Sequence, residues 1–389
     1  MFLVKKTEAD CKNKEFSHEF SDFRSTVRVT PSDVKALVET QLRLLWQSPD
    51  NAKDIAPLML WGAPGVGKST VVRELCEEQG IDFIDIRLAQ REPIDLRGLP
   101  VPKDDHVDWL LAGEWPRDPN SKGIILFDEL SAADRMLQAA AYEIILDRRL
   151  GDLYELPPGW LVIGAGNRLT DRAVAYSFSS ALANRFCHLE LQPDVQQWCS
   201  WAQQQGYPSP VIGFLKFAPQ HFFNMEGNTE RGWPSPRSWE RVAKLLKQRE
   251  QLQLSDKQLR IMVSGLIGDG AALPFFGFLD VQAELPDVQA MLAGRIPVSI
   301  PERTDALYAF CAAVAFHVRR KMQLLDRLFD ISDKLSSDFA TLLMLDILRN
   351  ENGLDEKRAE KVFSHPRYEQ WTEQHGQQFA QALEFEGSL

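Results

Sequence analysis

The chain has 389 residues and a formal net charge of −11, with 44% hydrophobic and 25% charged residues. These proportions are ordinary for a soluble globular protein, provide enough apolar side chains for a large core, and exclude a mostly disordered chain. The excess of acidic residues argues against sequence-independent wrapping of nucleic acid, because the phosphate backbone attracts basic surfaces.

The spacing of the cysteines and the length of the apolar runs indicate the cellular compartment of the protein. The five cysteines are scattered, and the two closest, Cys187 and Cys199, are twelve residues apart, which does not fit zinc binding. The longest apolar stretch, residues 308–316, is far too short for a membrane span. In the first residues the charges follow a short apolar patch, unlike a secretory signal. We therefore expect a cytoplasmic protein without a membrane partner.

The first half of the chain alternates between strands and helices. Residues 1–32 are polar and predict a mobile arm, and residues 34–46 have helical periodicity. Short apolar runs at 57–61, 81–86, 123–127, 160–165 and 187–191 predict five strands, with helices at 68–79, 133–147 and 179–184 between them. This alternation predicts a mainly parallel sheet covered by helices, which is an α/β fold.

The second half predicts helices only, with two prolines in residues 295–301 that favour a linker. The predicted domains are an N-terminal arm at 1–32, an α/β core at 33–193, a helical domain at 194–295 and a C-terminal helical extension at 296–389.

A phosphate-binding loop follows the first apolar strand of the core. The residues match GxxxxGK[ST] at every fixed position, with a strand before them and a helix after them. Glycines allow backbone N–H groups to turn toward phosphate oxygens, the lysine places a charge on the β- and γ-phosphates, and the serine hydroxyl can ligate Mg²⁺. The predicted nucleotide contacts are Gly62, Ala63, Pro64, Gly65, Val66, Gly67, Lys68, Ser69 and Thr70.

An acidic pair, Asp128 and Glu129, ends the most apolar strand. Carboxylates at the mouth of a buried strand are costly without a cation, and ligands bind at the carboxyl ends of parallel strands. We predict that Ser69 and Asp128 hold Mg²⁺, and that Asp128 does so through a water molecule. We also predict that Glu129 polarises the water that attacks the γ-phosphate. The alternative is a solvated helix cap, since Ser131 opens a predicted helix.

Four segments in this order, GAPGVGKST, ILFDEL, GAGNR and LANRF, resemble the AAA+ ATPase superfamily, and within it the MoxR-like, dynein-related subgroup. The resemblance covers about residues 35–290. It implies a three-layer P-loop core with a helical lid, and it leaves the C-terminal extension unexplained.

The resemblance also implies roles for three further residues. Asn167 would be the polar sensor that orients water, Arg185 the arginine finger that reaches a neighbouring subunit, and Arg237 the second sensor on the lid. The family often has Asp before the finger, whereas this chain has Asn184. Arg168 and Arg172 are rival fingers, and Arg237 could instead be a surface arginine that balances Glu240.

Residues 87–122 are a long insertion, which in MoxR-like proteins faces the pore of a ring. Trp109 or Leu110 could grip a substrate there, but packing within the insertion is the simpler expectation.

The resemblance implies a ring-forming ATPase, most simply a hexamer, that uses ATP and Mg²⁺ to remodel or mature a partner protein. It also implies a von Willebrand factor A-domain partner and a protein client. The alternatives are a nucleic-acid motor or restriction-type NTPase, a nucleotide-switched binding scaffold and a small-molecule kinase. A nucleic-acid partner is disfavoured because residues 301–389 carry no evident basic stripe.

Overall fold

The computed structural model describes residues 27–168, 171, 176, 178, 180–225, 231–283, 285–350 and 353–387. Most of the predicted arm at 1–32 and the rival finger Arg172 therefore lie outside the described residues. The chain divides into two compact units. The first comprises Met1–Pro64 and Lys68–Gln192, and the second comprises Gly65–Gly67 and Pro193–Leu389.

The first unit is built on a six-stranded sheet in which every pairing is parallel. In spatial order the strands are β1 (Val27–Val29), β10 (Cys187–Leu191), β2 (Leu58–Trp61), β9 (Trp160–Gly166), β6 (Gly123–Asp128) and β3 (Asp82–Arg87). The five predicted strands are confirmed, and so is the parallel α/β core. The edge strand β1 was not predicted, because three residues are too few to show a period.

Helices cover this sheet. The helix α1 (Pro31–Gln47) begins at a capping box in which Thr30 and Asp33 exchange hydrogen bonds, with Pro31 in the first turn. The others in the first unit are α2 (Lys68–Gln79), α3 (Pro93–Arg97), α4 (Arg135–Tyr142), which continues as a π-helical turn over Glu143–Asp147, and α5 (Ser180–Ala183). The strands β6 and β9 are apolar and buried on both faces, as expected of a sheet with helices on each side.

Two hairpins project from this unit: β4 (Leu99–Lys103) with β5 (His106–Leu110), and β7 (Arg149–Leu150) with β8 (Tyr154–Glu155). The first lies in the long insertion. Trp109 is 44% exposed and Leu110 is 61% exposed, so the expectation that they pack within the insertion is wrong. A lone two-stranded hairpin has two faces and cannot bury both by itself.

The second unit is helical, apart from a short hairpin of β11 (Arg349–Asn350) and β12 (Gly353–Leu354). Its helices are α6 (Val195–Gln204), α7 (Ser209–Phe217), α8 (Pro236–Lys247), α9 (Asp256–Ile267), α10 (Asp269–Ala283), α11 (Val288–Leu292), α12 (Thr304–Arg320), α13 (Leu325–Ser332), α14 (Ser337–Leu348), α15 (Glu356–Phe363) and α16 (Tyr368–Gly387).

The core of the second unit consists of two apolar clusters. One centres on Phe214, Trp239 and Phe275, and the other on Phe310 and Phe329 with their aliphatic neighbours. Trp239 is fully buried in the first of these clusters. Across the described ranges, no helix is long and apolar enough to cross a membrane.

Candidate nucleotide-binding site

The predicted phosphate loop connects β2 directly to α2, since β2 ends at Trp61 and α2 begins at Lys68. Gly65 and Gly67 have φ angles of +84° and +101°, which side-chain-bearing residues rarely adopt. These two glycines let the chain reverse tightly before the helix starts. The loop therefore has its glycines at positions where the backbone requires them.

Lys68 is the buried cation of the loop. Its side chain is almost fully enclosed, and Nζ donates to Gly62 O at 2.7 Å, to Ala63 O at 3.2 Å and to Asn167 Oδ1 at 2.9 Å. A buried ammonium group needs such oxygens to replace its lost hydration. The structure thus brings together Lys68 and the predicted sensor Asn167, which are 99 residues apart in sequence.

The two predicted metal-binding residues also meet. Ser69 Oγ donates to Asp128 Oδ2 at 2.5 Å, so a hydroxyl oxygen and a carboxylate oxygen converge at the carboxyl end of β6. Oxygen atoms are the ligands that Mg²⁺ prefers, and it commonly takes few protein ligands together with phosphate oxygens and water. The donor set therefore fits Mg²⁺. In the described part of the chain, no group of three or more His, Cys, Asp or Glu side chains forms another metal site.

Asp85 on β3 is a further acid near this edge of the sheet, and the sequence analysis missed it. Burial, and after it the charge of nearby Asp128, raises the pKa of the Asp85 carboxyl above its ordinary value. The positive charges of Arg87 and Arg73 oppose this effect, and Arg73 also donates a hydrogen bond of 3.2 Å to Asp85 Oδ2. The sequence signal was an acidic residue between two isoleucines of this strand.

Glu129 follows Asp128 in an unusual backbone conformation. Its φ is +57°, in the left-handed region that non-glycine residues seldom occupy, and its N–H donates to Asp128 Oδ1 at 2.9 Å. Such backbone strain costs on the order of 1–3 kcal/mol and concentrates at functional sites. The separate roles of Asp128 and Glu129 stay a prediction.

Ser131 ties this acidic turn to the sensor segment. Asn167 N donates to Ser131 Oγ at 3.0 Å, and Ser131 Oγ donates to Asn167 O at 3.1 Å. A Cβ atom on Gly166 would lie 2.7 Å from Ser131 Oγ, so a glycine is needed beside this contact. Ser131 therefore holds the sensor backbone, a role that the sequence analysis missed when it considered Ser131 only as a helix start.

Arg168, one of the rival fingers, is engaged within its own unit. It donates to both Asp171 carboxylate oxygens and, through its guanidinium, to Glu190 Oε1 at 2.5 Å. The hydrogen bonds to Asp171 raise the pKa of this guanidinium above its ordinary value. These bonds would have to break before Arg168 could reach another subunit, so the geometry favours a structural role.

Arg185 lies elsewhere. It is exposed, it comes two residues after the end of α5, and its N–H donates to Leu182 O at 3.1 Å. Arg185 precedes β10, whereas Lys68, Asp128 and Asn167 lie at the carboxyl ends of their strands. In a parallel sheet these are opposite edges, and the five residues of β10 alone span roughly 16 Å. Arg185 therefore cannot readily serve the phosphate loop of its own chain.

Arg237 begins α8 of the second unit. Ser235 caps this helix and Pro236 occupies its first turn. Within the same unit, the Arg237 N–H donates to Gly65 O at 3.2 Å. Arg237 thus contacts a phosphate-loop residue through its backbone, and its role as the second sensor stays a prediction.

Comparison with known families finds a match to one part of the chain. Residues 58–188 match the family "ATPase family associated with various cellular activities (AAA)". That range contains the loop, the acidic pair, Asn167 and Arg185. This part of the chain is therefore similar to AAA ATPase domains, and the match supports nucleotide binding and hydrolysis in general terms.

Similar solved structures include NtrX from Brucella abortus in complex with ADP, with 16% identity, a TM-score of 0.33, and coverage of 88% of this chain and 74% of that chain. The ATP complex of NtrX gives 14% identity and a TM-score of 0.32 over the same shares. A RuvB mutant from Thermotoga maritima gives 15% identity and a TM-score of 0.34, with 85% of this chain and 95% of that chain covered.

Proposed function

We propose that this protein is a Mg²⁺-dependent ATPase of the MoxR-like AAA+ type that assembles into a ring, most simply a hexamer, and remodels or matures a partner protein. The observation that carries the ATPase proposal is the meeting of Lys68, Ser69, Asp128 and Asn167 at one edge of the sheet. These residues come from three separate strand–loop junctions, and their types match phosphoryl transfer.

Each residue has a distinct part in the proposed reaction. Lys68 exchanges its loop oxygens for β- and γ-phosphate oxygens, and Ser69 and Asp128 would hold Mg²⁺. The ion would neutralise phosphate charge when bound. Glu129 accepts the proton of the attacking water, and Asn167 orients that water. Catalysis then depends mainly on preplaced charges and hydrogen-bond donors.

The ring proposal depends on Arg185. An exposed arginine at the sheet edge opposite to its own phosphate loop is better placed to reach a neighbour's site than its own. Closed ring assembly supplies such a neighbour to every subunit. We further propose a cytoplasmic location, consistent with the free thiols of Cys76, Cys187, Cys199 and Cys311, and a von Willebrand factor A-domain protein as the partner that presents the client.

Calorimetry tests nucleotide binding. Lys68→Ala is expected to abolish tight ATP binding, because no other cation lies within the loop sequence. Lys103→Ala, on the exposed hairpin, is the matched control and should bind as wild type does. Unchanged affinity in Lys68→Ala would rule out the phosphate-loop assignment.

Mixed rings test the role of Arg185. Arg185→Ala subunits retain an intact loop, and Lys68→Ala subunits retain an intact finger. Each variant alone should have almost no ATPase activity, and for Arg185→Ala the loss should be about 10³-fold. In mixtures, some interfaces pair an intact loop with an intact finger, so ATPase activity should peak at intermediate ratios. No recovery in rings shown to be mixed would refute a trans role.

The client proposal is tested with a Glu129→Gln variant that holds ATP. Affinity isolation in ATP should retain a protein client and an A-domain protein, and ADP should release them. Retention of nucleic acid instead would favour the motor alternative.

A further inference from the structure

The side chain of Trp61 contacts His188 across neighbouring strands. Trp61 ends β2, directly before the phosphate loop, and its Nε1–H donates to His188 Nδ1 at 2.8 Å. The two rings are nearly parallel, at 17°, with centroids 6.0 Å apart. His188 pairs in register with Met59, so the two rings are diagonal neighbours on one face of the sheet.

The second nitrogen of His188 reaches the finger segment. Because Nδ1 accepts the indole proton, the neutral imidazole carries its own proton on Nε2, which lies 2.7 Å from Ala183 O. Ala183 is the last residue of α5 and stands two residues before Arg185. His188 therefore joins the strand that enters the phosphate loop to the turn that carries the exposed arginine.

Two phenylalanine rings pack beside this connection. Phe178 lies 5.3 Å from Trp61, and Phe186 lies 6.2 Å from His188, measured between ring centroids. Phe186 also donates its N–H to Ala183 O at 3.3 Å. Ala183, two residues before Arg185, and Phe186, directly after it, thus contact the same imidazole, the first by a hydrogen bond and the second by ring packing.

We propose that His188 is a positioning residue for Arg185: its hydrogen bonds to Trp61 and Ala183 fix the Arg185 turn relative to the phosphate-loop strand, so that the arginine is presented to the neighbouring subunit. This inference rests on the proposed trans role of Arg185. It assigns no contact between His188 and nucleotide.

Loss of His188 is expected to loosen the Arg185 turn and to leave the strand before the phosphate loop in place. Trp61 lies in β2, which is hydrogen-bonded on both sides by β10 and β9, so loss of one indole bond leaves its backbone fixed. The Arg185 turn follows a helix of only four residues. Short helices are marginal without tertiary support, so the finger segment depends on His188 more than the phosphate loop does.

Limited proteolysis tests the positioning directly. Trypsin cleaves after exposed arginine, and we expect His188→Phe, which retains a ring but loses both hydrogen bonds, to speed cleavage after Arg185 about tenfold. His188→Gln can still donate to Ala183 O and should remain within about threefold of wild type. Cleavage after Lys103 in the exposed hairpin should be unchanged in both variants. Equal rates after Arg185 in wild type and His188→Phe would overturn the proposal.

Mixed rings test the functional consequence. In the double variant Lys68→Ala/His188→Phe, which supplies only the finger, recovery with Arg185→Ala subunits should fall at least tenfold below that of the parent mixture. In Arg185→Ala/His188→Phe, which supplies only the loop, recovery with Lys68→Ala should be retained. Equal losses in both mixtures, or none in either, would refute positioning by His188. No recovery in the parent mixture would instead refute the trans role of Arg185, while the cleavage rates still decide whether His188 fixes the turn.

Discussion

Two buried lysines show how the two units use charge differently. In the first unit, Lys68 donates to neutral oxygens of Gly62, Ala63 and Asn167. In the second, Lys216 of α7 pairs with the carboxylate of Asp346 on α14, and their side chains are only 17% and 11% exposed. Neutral oxygens can give way to a phosphate, whereas a buried carboxylate holds its partner strongly. The first arrangement suits ligand binding and the second suits packing.

Removing the proposed catalytic base should affect chemistry in the first unit without affecting stability. Glu129→Gln is expected to lower ATP turnover by roughly 10²- to 10⁴-fold, because the amide cannot accept the proton of water. ATP affinity and Tm should stay near wild type, and Glu77→Gln on the exposed face of α2 serves as the control. Steady-state ATPase rates and calorimetry check this, and turnover near wild type would assign the base to another residue.

Breaking the buried pair of Lys216 and Asp346 should lower the stability of the second unit. Asp346→Ala leaves the Lys216 ammonium buried without its carboxylate and is expected to cost about 3–5 kcal/mol of unfolding free energy. Asp280→Ala, which breaks an exposed pair with Arg260, should cost no more than about 1 kcal/mol. Chemical denaturation measures both.

Replacing both partners of that pair sharpens the result. The double variant Lys216→Met/Asp346→Leu should recover most of the lost stability, because no unpaired charge remains. A double variant as unstable as Asp346→Ala would mean that shape, not charge, explains the loss.

Replacing the amide oxygen that accepts from Lys68 Nζ by a carboxylate should make this contact resemble the Lys216–Asp346 pair. Asn167→Asp places a carboxylate about where Oδ1 now accepts from Nζ, and that carboxylate competes with phosphate. We expect ATP affinity to fall about tenfold, measured by titration with a fluorescent ATP analogue. Asn167→Ala removes the amide without adding charge and should bind within about threefold of wild type. Equal affinities for both variants would contradict the competition.

The smallest expected effect is on the pH dependence of stability in the second unit. Burial lowers the pKa of His375, which is enclosed beside Ser337. A lowered folded-state pKa means that the unfolded chain binds a proton first, so stability falls as pH drops below about 6.5. In His375→Asn, Tm should therefore decline less between pH 7.5 and pH 5 than in wild type. Parallel Tm curves would assign the acid sensitivity to other groups, such as His317, whose pKa burial also lowers.

The central strands and the phosphate loop could be predicted because their signals are local. Four or more consecutive apolar residues at 123–127 and 160–165 identify buried strands, and the glycine spacing around Lys68 reflects backbone angles of the loop itself. The edge strand Val27–Val29 could not be predicted, because three residues are too few to show a period. The exposure of Trp109 in its hairpin could not be predicted either, because exposure depends on which other elements cover a strand.

By itself the sequence determined the order of elements, the residue types of the phosphate loop and the acidic pair, since these depend on spacing along the chain. Only the tertiary structure decided which distant side chains meet: Lys68 with Asn167, Ser69 with Asp128, and Trp61 with His188. It also showed that Arg168 is held by Asp171 and Glu190 while Arg185 is exposed. The physical reason is that sheet order, here β10 beside β2 beside β9, follows from packing of whole strands and helices and leaves no mark within any single segment.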